Sequence, residues 1–181
     1  MVRDDIEKIL VGTEEISKRS KEIGEQISKD YEGKRPILIA LLKGSVPFLS
    51  ELMKYITIEM EVDFMDVSSY EGTKSTQVRI NKDLDSPIED RDVIIVEDII
   101  DTGKTLKTVV ELLYQKGASS VKVASLLNKP EGRKVDIEAD YVGFVIPDEF
   151  VVGYGLDFNQ VYRNLPYVGV LKERCYKELI K

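Results

Sequence analysis

Three acids, Glu97, Asp98 and Asp101, stand directly before the turn Thr102-Gly103-Lys104-Thr105. Gly103 permits positive φ and close backbone approach, so successive N–H groups can point into one small volume. The two threonine hydroxyls add donors, and a helix starting here would present its unpaired amides and positive dipole end. Such a turn is a cup for a phosphate monoester. The acids imply a further part of the ligand. Carboxylates accept hydrogen bonds from vicinal sugar hydroxyls and help to hold a hydrated Mg²⁺. Their charge would also favour a cationic transition state at a sugar carbon. Asp101, further along and at the rim of the cup, could take a proton from an incoming nucleophile.

The triplet Gly103-Lys104-Thr105 also invites comparison with a nucleoside-triphosphate P-loop, which needs another glycine five residues before the second. That position is Asp98, and Ile99 and Ile100 are too bulky for a tight cradle. Residue chemistry therefore argues against a kinase or NTPase. The chain has no histidine, so Ser-His and Cys-His nucleophile systems and the usual zinc sets are excluded. General acids and bases must come from Asp, Glu, Lys, Tyr or the substrate.

The elements that position these groups follow from periodicity. Val93–Val96 reads as a buried strand, and Leu106, Val109, Val110 and Leu113 mark one face of a helix from Thr105 to Lys116, closed by Gly117. Upstream, Ile16, Ile23, Ile27 and Tyr31 line a helix that runs to about Asp30, with Thr13 as its expected N-cap. Ile37–Leu42 is a continuous apolar strand, followed by a helix carrying Phe48, Leu49 and Leu52. Ile58–Val67 alternates as a strand, and the polar stretch Ser68–Thr76 breaks the pattern. Val121–Leu127, Tyr141–Val145 and Val168–Leu171 are further strands. Apolar strands alternating with helices predict an α/β fold whose parallel sheet is covered on both faces. In 181 residues without repeats, linkers or low-complexity tracts, a single domain spanning 1–181 is expected.

A net charge of −7 argues against nucleic-acid or anionic-membrane partners. No apolar run approaches the roughly 18–20 residues that span a bilayer, the N-terminus does not read as a signal peptide, and a lone Cys175 allows no internal disulfide. A cytoplasmic protein is the expectation.

Ligands of open α/β sheets bind beyond the carboxyl ends of the strands. Besides the acidic turn, four such exits carry polar groups: Lys43-Gly44-Ser45, Ser68–Thr76, Asn128-Lys129, and the run Ile146–Asn159 with Asp148, Glu149, Phe150 and Asp157. Taken alone these are a βα turn with a solvated lysine, a surface loop, a solvent-facing strand-end lysine and a core aromatic.

The wording Glu97-Asp98-Ile99-Ile100-Asp101-Thr102-Gly103-Lys104-Thr105 resembles the phosphoribosyl-pyrophosphate signature of type I phosphoribosyltransferases, and most of all the hypoxanthine-guanine branch in its bacterial form. Asp148-Glu149-Phe150-Val151-Val152-Gly153-Tyr154-Gly155-Leu156-Asp157 matches equally well, and the likeness runs over residues 5–173 in unbroken order. The resemblance implies the type I phosphoribosyltransferase fold, a central, mainly parallel sheet flanked by helices with a small hood region. It implies purine salvage, with phosphoribosyl pyrophosphate and a 6-oxopurine as substrates, Mg²⁺ as cofactor and a homodimer or homotetramer. Lys43, Gly44 and Arg163 would take pyrophosphate, often with a cis peptide before the lysine. Glu97, Asp98, Asp101, Thr102, Gly103, Lys104 and Thr105 would hold ribose 5-phosphate, with Asp101 as the base. Ser69 and Tyr70 would belong to a closing loop. Lys129, Phe150, Val151 and Asp157 would meet the purine, while Glu97, Asp98 and Asp157 would serve the metal.

Overall fold

Strand β2 (Ile37–Leu41) is buried along its whole length, and its alternate residues face two different cores. Leu38 and Ala40 pack with Ile16, Ile23 and Ile27 of helix α1 (Thr13–Asp30) and with Phe48, Leu49 and Leu52 of α2 (Val46–Leu52). Ile37, Ile39 and Leu41 pack on the other face with Leu106, Val109 and Leu113 of α3 (Lys104–Gln115). Each helix contributes one apolar stripe, so three helices cover both faces of one sheet. The structure, a computed structural model, describes residues 2–71 and 76–177.

The six-stranded sheet also contains β3 (Glu61–Glu71), β4 (Thr76–Lys82), β5 (Asp92–Ile100), β6 (Ser120–Asn128) and β7 (Tyr141–Val145), in the order β4-β3-β2-β5-β6-β7. All neighbours are parallel except β3 and β4, which pair antiparallel at the edge. A second, three-stranded antiparallel sheet is the hood: β1 (Ile6–Val11), β9 (Val168–Leu171) and β8 (Val151–Val152), in the order β1-β9-β8. It gathers segments from both ends of the chain beside residues 146–163. The expected mainly parallel α/β sheet with helices on both faces and a small hood is the fold found. Among the described residues, no helix is long and apolar enough to cross a membrane.

Four details differ from the sequence reading. The third strand begins at Glu61 and runs through the polar residues Ser68 to Glu71, because β4 supplies an antiparallel partner out to Glu71↔Thr76. Edge hairpins satisfy their backbone by pairing with each other, so a polar sequence can still be a strand. Short strands β1 and β8 carry too little alternation to announce themselves. Gly12 caps α1 in place of Thr13: its N–H donates to Glu15 Oε2 at 2.8 Å, while the Thr13 hydroxyl is turned to Pro166 O at 2.7 Å. Finally, β5 extends past Val96 to Ile100, because β6 continues beside it to Asn128. Glu97 and Asp98 therefore sit on the strand.

Candidate active site

Strands β3, β2, β5, β6 and β7 run parallel and adjacent, so their carboxyl ends open on one edge and bring residues distant in sequence together. At the centre, β5 ends at Ile100, Asp101 follows, and Gly103 caps α3 with φ +78°. An added Cβ at Gly103 would lie 2.7 Å from Ile137 Cγ2 and 2.9 Å from Arg133 Cδ, so glycine is required by both backbone and packing. A cavity of about 170 Å³ opens at this turn, lined by Glu97, Ile99, Ile100, Asp101, Thr102, Gly103, Thr105 and Leu106. Lys104 begins the helix without lining the cavity. The segment after β6 wraps around the turn from outside. Arg133 Nε donates to Asp101 O at 3.1 Å, its other nitrogens donate to Ile137 O and Asn128 Oδ1, and Lys134 N donates to Thr102 O at 2.9 Å.

A second cavity, also about 170 Å³, lies alongside and is lined by Ile99, Asp101, Lys129, Glu149, Phe150, Val151 and Leu156. Ile99 and Asp101 line both. Lys129 is buried at the end of β6, and its ammonium sits 3.3 Å from Asp101 Oδ2 and 2.9 Å from Asp148 Oδ1. Burial pulls the Lys129 pKa down, but the hydrogen bond to Asp148 and the charge and hydrogen bond of Asp101 outweigh it, leaving a net rise that keeps the group a cation. Asp101 is wedged from behind by Gly132: a Cβ there would fall 1.9 Å from its Oδ1.

On the other side of β5, Asp98 faces the Lys43-Gly44 loop so closely that a Cβ on Gly44 would lie 1.7 Å from Asp98 Oδ2. The Leu42–Lys43 peptide that opens this loop is cis, and Lys43 itself is exposed. Gly155, at φ +100°, rests on the same loop; its Cβ would meet Gly44 O at 1.9 Å. Behind Gly155, Arg163 donates from Nη1 to the Gly155 carbonyl at 2.8 Å and pairs through Nη2 with Asp157 at 2.7 Å. Asp157 also accepts from Gln160 N at 2.8 Å and does not line the second cavity. Ser69 and Tyr70 belong to β3 by their backbone; their side chains, and residues 72–75 of the expected closing loop, lie outside the described residues.

Two adjacent cavities, one at the glycine turn and one bordered by an aromatic ring and a buried lysine, thus share Ile99 and Asp101. A family model described as phosphoribosyl transferase domain matches residues 9–159. The chain is 56% identical over 180 residues to the hypoxanthine-guanine phosphoribosyltransferase of Streptococcus mutans, covering 98% of this chain and 100% of that one. The chain belongs to the hypoxanthine-guanine phosphoribosyltransferase family. Solved structures agree. A hypoxanthine phosphoribosyltransferase from Staphylococcus aureus superposes with a TM-score of 0.93 at 50% identity, covering 97% of this chain and 96% of that one. The hypoxanthine phosphoribosyl transferase of Trypanosoma cruzi gives 0.91 at 40% identity, with 97% and 96% covered.

The Mg²⁺ implied for a phosphoribosyltransferase needs oxygen donors that remain charged. Burial and then the neighbouring charge of Asp98 drive the Glu97 carboxyl well above the ordinary carboxylate range. Burial likewise pushes Asp98 up to about 6, although the Ile99 N–H and the Arg163 charge pull it down. Two adjacent acids disfavoured as a bare dianion fit a site that takes a cation. Among the described residues no group of three or more His, Cys, Asp or Glu is arranged to hold a metal ion. A carboxylate pair alone suits Mg²⁺, which keeps several waters and draws other ligands from substrate oxygens.

Two residues of the site, Gly132 behind Asp101 and Arg133 bonded to the turn, lie in no segment singled out from the sequence, while Asp148, the second partner of Lys129, and Leu156, lining the pocket of Phe150, lie in the Asp148–Asp157 segment without an expected role of their own. The Lys129-Pro130-Glu131-Gly132-Arg133 run, two cations flanking a proline-glycine turn after a buried strand, was the available cue.

Proposed function

We propose that this chain transfers the 5-phosphoribosyl group of phosphoribosyl pyrophosphate to N9 of hypoxanthine or guanine, giving inosine or guanosine monophosphate and pyrophosphate. The position of Asp101 carries this reading: the residue lines both cavities and its carboxylate lies 3.3 Å from Lys129 Nζ, where it can meet sugar on one side and base on the other.

In this reading the amides and hydroxyls of Thr102 to Thr105 hold the 5-phosphate, and Glu97 and Asp98 accept from the ribose hydroxyls. Lys129 donates to the purine 6-oxo group; adenine, with an amino group there, presents a donor to a donor. Phe150 offers its face to the base, Leu156 packs in the same pocket, and Val151 reads the base through main-chain groups. The bond from the anomeric carbon to pyrophosphate breaks with its electron pair leaving on oxygen, the purine N9 lone pair forms the new bond, and Asp101 accepts the proton from N7. Lys43, the Gly44 amide and Arg163 receive the pyrophosphate. Glu97, Asp98 and Asp157 would hold Mg²⁺, whose charge would offset that developing on the leaving group. Ser69 and Tyr70 close the site against water, which would otherwise trap the sugar cation.

The reading also takes the protein to be a cytoplasmic homodimer or homotetramer without a nucleic-acid partner. The test is a product assay with phosphoribosyl pyrophosphate, Mg²⁺ and, in separate reactions, hypoxanthine, guanine, xanthine and adenine. Nucleotide is expected from the first two. Turnover of adenine alone, or of none of the four, overturns the reading.

A further inference from the structure

The aromatic wall of the second cavity is itself stacked on another ring. Phe150 lies against Tyr176 with centroids 4.7 Å apart and planes at 17°, and it meets Phe158 edge-on at 5.4 Å and 88°. Tyr176 stacks on one face of the ring and is not among the residues that line the cavity bordered by Phe150. It belongs to a separate small core with Val152, Tyr162, Leu165 and Leu171, and comes from the end of the described chain, 26 residues after Phe150.

The segment bearing Tyr176 is fastened to the other end of the chain. Lys172 N donates to Asp5 O at 2.9 Å, Lys172 Nζ donates to Asp4 O at 2.6 Å, and Arg174 pairs with Asp5 Oδ1 at 3.0 Å. Tyr162 donates its hydroxyl to Asp5 Oδ2 at 3.1 Å. Beside Phe150, Glu149 is tied by Oε1 to Lys8 of β1 at 2.7 Å. Residues 4–8 and 172–176 therefore converge beside the residue that is to carry the base.

We propose that Tyr176 is a positioning residue for the purine: it fixes the plane and depth of the Phe150 ring so that the ring's free face meets the base already oriented. This rests on the function proposed above. A ring held by a stack on one face and an edge on its side does not have to be ordered by the ligand, so the cost of immobilising it is removed from purine binding. The phosphate cup, built from β5 and α3, shares none of these contacts. The effect should therefore be confined to one substrate.

The experiment compares Tyr176→Ala, Tyr176→Leu and Tyr176→Phe with the parent in the full chain. It measures KM for hypoxanthine and for phosphoribosyl pyrophosphate separately, kcat, and thermal unfolding. Tyr176→Ala and Tyr176→Leu should raise the hypoxanthine KM by roughly three- to tenfold, the size of one aromatic pair, and leave the other KM within about twofold. Tyr176→Phe, which keeps the ring, should match the parent. The leucine variant keeps apolar cover should the alanine variant fail to fold. Parallel rises in both KM values, no change in either, or a phenylalanine variant as weak as leucine overturns the proposal. A parent inactive on both 6-oxopurines overturns the functional reading and this inference with it; an active parent with an unaffected leucine variant overturns this inference alone.

Discussion

Lys129 and Asp101 hold each other at 3.3 Å across the seam between the two cavities, and Asp148 holds the same ammonium from the far side at 2.9 Å. The residue read as recognising the base and the residue read as deprotonating it are thus one electrostatic unit before any ligand arrives.

Replacing Asp101 with Asn keeps the shape of the seam and removes the proton acceptor. Turnover should fall about 10²–10⁴-fold, while phosphoribosyl pyrophosphate still binds in calorimetry. Near-normal turnover would show that the proton leaves by another route.

Lys129→Met retains the buried stem and deletes the donor. The lost charge-assisted hydrogen bond should cost about 1.5–3 kcal/mol in kcat/KM for hypoxanthine and guanine, with the phosphoribosyl pyrophosphate KM little changed. If adenine is used no better by the variant relative to hypoxanthine, Lys129 does not set the choice at the 6-position.

Gly155→Ala combines a strained φ of +100° with a Cβ only 1.9 Å from Gly44 O. Destabilisation of about 1–3 kcal/mol is expected, read by urea unfolding. A variant as stable as the parent would mean that the two loops separate without cost.

The acid pair makes a pH prediction whose direction is fixed by folding raising both pKa values. Such an acid binds its proton more tightly in the native state, so its contribution to stability is whole below its unfolded value, about 4, and is lost as pH rises through about 6. In metal-free buffer Asp98→Asn should therefore gain stability relative to the parent as pH rises from about 4 to about 7. A difference between the two unfolding curves that stays flat across this window would remove the burial argument.

The parts legible in the sequence are those where neighbouring residues act together. Val93 to Lys116 form one continuous segment, so a buried strand, a turn and a helix could be read locally, though not how far the strand runs, and Gly103 marks a positive φ. Lys43, Lys129 and Phe150 could be placed only by resemblance, since a strand-end lysine and an apolar-segment aromatic look the same in any fold. Gly132, Arg133 and Tyr176 stood out in neither way, and Asp148 only as one acid of its segment. Their significance is a distance to a residue elsewhere in the chain.

By itself the sequence determined the alternation of buried strands and helices, the absence of histidine chemistry and the glycine turn between strand and helix, because periodicity and backbone freedom are properties of short segments. Tertiary structure alone decided that β5 reaches Ile100, that Asp98 presses on Gly44, and that Asp101 lines two cavities. Those facts depend on which strands lie side by side and where they end, and parallel pairing joins partners that only the folded chain brings together.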